Sequence, residues 1–209
     1  MDYIAAIIPE TFIVSGQFTD RLTTVISLTC KMFDDTKCPV CLALFNPKIT
    51  DNFKIYRLNE FLGTHNDLSK YIPRPLLAHS WKINDPQGII GLKCVDSNEG
   101  PSVRFCLGSE IDSAKIKISS RSETRISTPE TISDLSHFLD KCNEILADYR
   151  INTKDVFLAT FKNLRKDGWY RRRLDFATAK LIMSKALEQV EVAENTYQLV
   201  DLFGGFFDD

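Results

Sequence analysis

The 209-residue chain contains no run approaching the roughly 18 apolar residues that a membrane-crossing helix needs. Asp2 and Glu10 flank its one early apolar stretch, unlike the basic-then-apolar order of a secretion signal. A cytoplasmic, reducing setting is the expectation. Charge of either sign is not in excess: 26 Lys and Arg stand against 28 Asp and Glu, a formal net charge of −2. The whole molecule therefore has no general attraction to a polyanion, and any nucleic-acid contact must come from a local patch. Cysteine is too sparse for a disulfide scaffold. The six, at positions 30, 38, 41, 94, 106 and 142, lie mostly in apolar runs such as 40–45 and 103–107 and read as buried thiols.

The familiar catalytic signatures are also missing. There is no glycine loop to cradle a phosphate, no Gly-x-Gly-x-x-Gly, no Gly-x-Ser-x-Gly elbow and no His-Glu-x-x-His. The three histidines, His65, His79 and His137, sit in unrelated contexts. Cys38-Pro-Val-Cys41, with Cys30 upstream, has the gap of a zinc knuckle. A full site would need His65 or Cys94 as a further ligand, and no second paired motif occurs. Acid pairs such as Asp34-Asp35 and Glu110/Asp112 suit turns better than ion sites. The expectation is no cofactor, no metal site and no catalytic constellation.

What is present changes character near residue 128. Before it, short apolar or alternating runs at 3–8, 11–14, 40–45, 53–58, 89–95, 103–107 and 116–119 are separated by turn residues, which predicts strands. Two helices are expected among them, at 19–33, with Leu22, Val25, Ile26, Thr29 and Met32 at helical steps, and at 59–71. After 128 the period is helical. Thr128-Pro129-Glu130 reads as a cap and first turn, and Ile132, Leu135, Phe138, Leu139, Cys142, Ile145, Leu146 and Tyr149 mark one face. A second helix is expected over 154–166 and a third over 175–194, burying Phe176, Ala179, Ile182, Met183, Ala186, Leu187 and Val190. The fold expected is α+β: a β-rich part over 1–127 with one or two helices, a three-helix part over 128–195, and a tail over 196–209, together one compact unit.

The helical half is polarised. Nine Lys or Arg and three Asp lie between Lys154 and Lys185; beyond Lys185 there is no basic residue and there are six acids. The densest basic stretch carries Lys162, Arg165, Lys166, Trp169, Tyr170, Arg171, Arg172 and Arg173. Guanidinium groups grip phosphates in a two-pronged geometry, and Trp and Tyr stack on unpaired bases. These eight residues are the candidate nucleic-acid contacts. The competing reading packs Trp169 in the core and pairs the arginines with Glu188, Glu191 and Glu194.

The chain ends Tyr197-Gln-Leu-Val-Asp-Leu-Phe-Gly-Gly-Phe-Phe-Asp-Asp209, aromatic and acidic where most termini are polar. Gln198, Leu199, Leu202, Phe203, Phe206 and Phe207 are the candidate partner-binding residues. The stretch 198–203 resembles the short peptides with which bacterial replication proteins dock into their sliding clamp, although its glutamine stands five residues before the phenylalanine and the commonest form has four. The ending 201–209 resembles the acidic, phenylalanine-bearing tails of phage DNA polymerases and single-stranded-DNA-binding proteins. Those resemblances imply a tail that recruits a protein such as a sliding clamp, and whose Asp201, Asp208 and Asp209 compete with phosphates for the basic patch; another copy of the chain is the alternative partner.

Together these features predict a non-enzymatic, nucleic-acid-associated accessory protein of DNA replication, of viral type. Two alternatives stand beside it. One is an α/β enzyme with a dispersed site around His79, Ser80 and the acids between Glu99 and Asp112; the other is an assembly protein whose tail contacts a neighbouring copy.

Overall fold

A computed structural model describes residues 3–15, 19–28 and 38–203, with side chains described for 3–14, 19–28 and 38–190. The fold is α+β, with a β-rich N-terminal part and a helical C-terminal part. Among the described residues no helix is long and apolar enough to cross a membrane. The chain divides into two compact units, one of Met1–Ile72, Lys93–Val103 and Asp148–Asp175, the other of Pro73–Leu92, Arg104–Ala147 and Phe176–Asp209.

The first unit is built on a five-stranded sheet. Its strands are β1 (Ile4–Pro9), β2 (Leu22–Ser27), β3 (Val40–Phe45), β4 (Lys54–Arg57) and β5 (Glu60–Thr64), in the order β1-β3-β2-β4-β5. β2 and β4 run parallel and every other neighbouring pair is antiparallel. Alternation sends Val25, Ile55, Cys41 and Ala43 to one face, where they are buried. A helix had been expected over 19–33; a 3-10 turn and β2 occupy its described part. Thr23-Thr24-Val25-Ile26 is a run of four β-branched residues, stiff at χ1 and better suited to a pleated strand than to a helix turn. The stretch 11–14, expected as strand, is instead the one-turn helix α1 (Phe12–Ser15). The helix expected over 59–71 shrinks to α2 (His65–Ser69), because β5 occupies 60–64 and Thr64 Oγ1 then accepts from the Asp67 N–H as its cap.

The second unit holds the sheet β6 (Lys82–Ile83), β9 (Glu123–Ser127), β7 (Ile90–Lys93) and β8 (Arg104–Leu107), in that order; Lys93, the last residue of β7, belongs to the first unit. Neither β6 nor β9 was expected, and the strand anticipated at 116–119 is a turn closed by the Ser120 N–H donating to the Lys117 carbonyl at 2.9 Å. Helix α3 (Leu135–Thr153) is anchored to β8 through Asn143, whose side-chain amide accepts from the Phe105 N–H at 2.8 Å and donates to the Phe105 carbonyl at 3.0 Å. Helix α4 (Phe176–Phe203) buries Ala179, Ile182, Met183, Ala186, Leu187 and Val190 and extends nine residues past the expected end. Trp81 stacks on Phe138, with ring centroids 6.1 Å apart, and donates its Nε1–H to Ser184 Oγ at 2.9 Å.

Two ends of α3 differ from expectation. Thr128 Oγ1 closes a local turn onto the Glu130 N–H, and the helix starts only at Leu135, where Asp134 Oδ1 accepts from the His137 N–H at 2.9 Å. At the other end Lys154, at φ 52°, takes the left-handed position that glycine usually fills, with Lys154 N–H donating to Ile151 and Asp155 N–H to Arg150.

Gly88 lies against β9 so closely that a Cβ would collide with the Ile126 backbone. Gly88→Ala is therefore expected to cost about 1–3 kcal/mol through forced displacement of a buried strand, read as a lower urea midpoint with unchanged m.

Candidate nucleic-acid interface

The stretch expected to form a helix over 154–166 is the first arm of a hairpin, so the C-terminal part has two of its three expected helices. β10 (Ala159–Leu164) and β11 (Tyr170–Arg173) pair antiparallel, with Ala159 opposite Arg173, Thr160 opposite Arg172 and Leu164 opposite Tyr170. Gly168, at φ 84°, and Asn163, at φ 75°, supply the left-handed turns that the reversal and its bulge require. The helical reading failed because Ala159-Thr-Phe alternates and Asp167-Gly168 marks a turn. The outer edge of β11 is also held: Asp96 N–H donates to the Arg172 carbonyl and Leu174 N–H to the Cys94 carbonyl, each at 2.9 Å.

Strand alternation sorts the basic stretch into two sets. Tyr170, Arg172 and Leu174 are buried, whereas Trp169, Arg171 and Arg173 are half-buried on the opposite side.

The inward set meets carboxylates. Asp96, with 0% of its surface exposed, accepts from Arg150 Nη1 at 2.8 Å and Nη2 at 3.0 Å, and from Arg165 Nη1 at 3.2 Å. The backbone N–H groups of Ser102, Val103 and Arg172 complete its shell at 2.8, 3.3 and 3.2 Å. Burial alone would raise this carboxyl, but the Arg150 hydrogen bonds and the Ser102 N–H outweigh it and hold Asp96 below the usual carboxylate range. Arg150 also grips Asp155 through Nε and Nη2, both at 2.8 Å, and Arg165 holds Asp167 at 2.7 Å. Arg172 Nη1 donates at 2.9 Å both to Glu10 Oε1, which also accepts from Ser27 Oγ, and to Thr160 Oγ1. Arg165 and Arg172 thus point their charge inward, away from any phosphate.

The outward set is electrically unspent. Arg171 donates Nε–H to the Asp96 carbonyl, a neutral acceptor, and its guanidinium lies 5.4 Å from the Phe161 ring centre. Arg57 lies over the Trp169 ring at 4.8 Å and donates to the Lys154 carbonyl. Burial first, and the nearby Arg172 charge second, draw Arg57 below its usual value. Among the described residues no carboxylate pairs with Arg57, Lys162, Arg171 or Arg173. Lys166 pairs with Glu99 at 2.6 Å where both are exposed, a contact that solvent weakens.

Glu188 accepts from the Leu76 and Leu77 N–H groups and from Lys185. Glu191 and Glu194, like Gln198, Leu199, Leu202 and Phe203, have side chains outside the described residues; the backbone of 191–203 continues α4. Phe206 and Phe207 lie wholly outside the described residues, as do Cys30, Asp34 and Asp35. Cys38 is exposed, while Cys41 is buried with its thiol pushed up to about 12 by desolvation and then by the Glu10 charge. Among the described residues no three His, Cys, Asp or Glu side chains gather to hold a metal ion. His65 stacks on Phe53 and meets Phe157 edge-on. His79 Nδ1 lies 3.6 Å from Glu130, and its Nε2 is buried without a partner. Of the acids between 99 and 112, Glu99 pairs with Lys166, Glu110 with Arg104, and Asp112 caps the Ala114 N–H.

Compared with known proteins, the chain matches no protein-family model, no curated protein and no solved structure.

Asp96 and Arg150, the centre of the network, were not singled out from sequence; the one signal was an acid directly after the buried run 89–95. Asp96→Asn removes the charge that Arg150 and Arg165 share and turns one of the two oxygens on which six N–H groups converge into a donor, and is expected to cost about 3–5 kcal/mol, whereas Asp167→Asn, at an exposed carboxylate, costs under about 1 kcal/mol. Since the folded state depresses the Asp96 pKa, its contribution is complete above the unfolded carboxyl value near 3.9 and fades as pH falls through the lower folded value. Urea midpoints across acid pH should therefore fall less steeply in the Asp96→Asn variant than in the wild type.

Proposed function

We propose that the protein is a non-enzymatic nucleic-acid-associated accessory protein that holds a single strand against the outward face of β11 and uses its C-terminal peptide to dock a protein partner. One observation carries the first half: Trp169, Arg171 and Arg173 fall on the same side of one strand, and neither arginine is neutralised by a carboxylate among the described residues. Residues two apart on a strand are about 6.6 Å apart, so the row offers a ring and two charges to an extended chain. Phe161 beneath Arg171 and Arg57 over Trp169 pre-order those groups and lower the entropy lost on binding. Lys162 and Lys166 add exposed charge at the hairpin's turn end. Arg165, Arg172 and Tyr170 act beneath the surface, holding the hairpin in place.

The second half rests on the side chains of Gln198, Leu199, Leu202, Phe203, Phe206 and Phe207 and their likeness to clamp-docking peptides.

Fluorescence anisotropy with labelled single-stranded DNA and RNA over a salt series tests the binding surface. Arg171→Ala/Arg173→Ala is expected to reduce the slope of log affinity against log salt by about 1.4, the share of two phosphates on a single strand. Trp169→Ala is expected to cost about 1–3 kcal/mol of affinity with the slope unchanged. A double variant that binds as the wild type does, with the same slope, rules out this face.

A further inference from the structure

The outward row of β11 carries one ring, Trp169, and one face of that ring is already occupied. The Arg57 guanidinium lies over the indole, 4.8 Å from its centre, and donates from Nη2 to the Lys154 carbonyl at 2.8 Å. All three residues belong to the first unit. Arg57 closes β4, where the ladder sets it opposite Ser27 of β2 and Glu60 of β5. The carbonyl it grips is that of the left-handed residue directly after α3, Lys154 at φ 52°. A strand end and a helix end thus hold the guanidinium in place before any ligand arrives.

The chain's two tryptophans are treated differently. Trp81 is buried, and its Nε1–H donates to Ser184. Trp169 is half-buried, and among the described residues its Nε1–H has no acceptor and no second ring or cation lies against the indole. Its main chain is nevertheless fixed: the Trp169 N–H donates to Asp167 Oδ1 at 3.1 Å and its carbonyl accepts from the Arg165 N–H at 2.7 Å. Phe161, the other ring beside the row, already carries the Arg171 guanidinium at 5.4 Å.

We infer that Trp169 is a one-base platform and Arg57 its positioning residue, so that a strand is held by one stacked base and by phosphates on Arg171 and Arg173. This rests on the strand-binding role proposed above, and adds to it how many bases are held and which residue sets the ring. A column of bases continues through an aromatic side chain only where both of its faces are open; with a guanidinium on one face, the column ends at the indole. Arg57 is half-buried and bonded to a neutral carbonyl, so it acts through the ring and leaves the phosphates to the outward arginines. A ring set in advance loses less rotamer freedom when the base arrives. Along the strand, 169 and 171 are about 6.6 Å apart and 169 and 173 about 13 Å apart, so one base and two phosphates call for about three nucleotides.

Titration of the full chain with labelled single strands, followed by anisotropy and by tryptophan emission, tests this. Arg57→Ala is expected to weaken binding about three- to tenfold with the slope of log affinity against log salt unchanged, whereas loss of a phosphate contact would lower that slope by about 0.7. In a Trp169→Ala background the same substitution is expected to change affinity less than about twofold, because the two residues act through one ring. Arg57→Lys, which keeps a cation without the planar fork, is expected to fall between, and it carries the same cycle if Arg57→Ala does not fold. An abasic strand bearing a single adenine is expected to quench tryptophan emission at saturation as fully as an all-adenine strand. A wild type that binds no strand removes the strand-binding role and this inference together. Where the wild type binds, the inference alone is overturned by an Arg57→Ala variant that binds equally well, by Arg57 and Trp169 effects that add, by a salt slope that falls with Arg57→Ala, or by an all-adenine strand that quenches further than the single adenine.

Discussion

A carboxylate withdrawn entirely from water is among the costliest groups a fold can carry, and Asp96 is affordable only because six donors converge on it. Those donors come from separate stretches: the turn at 102–103, the last turn of α3, the start of the hairpin loop and β11. Removing any one leaves charge or hydrogen-bonding capacity stranded in a dry interior. The arrangement therefore fixes geometry more than it adds stability, since apolar groups of similar volume would pack there at less electrostatic cost. What it fixes is the orientation of β11. With Arg172 held by Glu10 and its own N–H held by Asp96, the neighbouring side chains have one direction left to them.

That constraint explains why the basic stretch divides as it does. Read as composition, Arg165 to Arg173 is a uniform positive patch; read as a strand, it is two rows of opposite role. The alternation was present in the sequence, but it was masked by the helix-like spacing of the segment before it. Arg57 joins the surface from more than a hundred residues away, and nothing in its local sequence, Ile55-Tyr-Arg-Leu58, marks it as a neighbour of Trp169.

The parts of the fold that were legible are those where burial repeats. The stripe Phe138, Leu139, Cys142, Leu146 and Tyr149 and the stripe Ala179 to Val190 announce α3 and the start of α4, and the apolar runs 40–45 and 103–107 announce β3 and β8. The misread parts are those where local and tertiary preferences coincide in period. Leu22, Val25 and Ile26 suit a helix step and are equally the inner and outer residues of β2. β9 was invisible because Glu123, Arg125 and Ser127 alternate with only two core residues, Thr124 and Ile126, one of them polar. The Asp96 network left almost no trace, because a buried charge cluster is defined by convergence in space and each of its members looks ordinary alone.

Glu10 and Arg172 are separated by 162 positions, and the chain passes between its two compact units five times. During synthesis the first strand leaves the ribosome long before its counter-charge exists. Until the hairpin emerges, Glu10 lacks the Arg172 guanidinium that it faces in the finished unit, so the first unit is completed only after residue 172 has been made. Neither unit corresponds to a contiguous stretch of the gene, and a cut at any of the three inner passages would divide both.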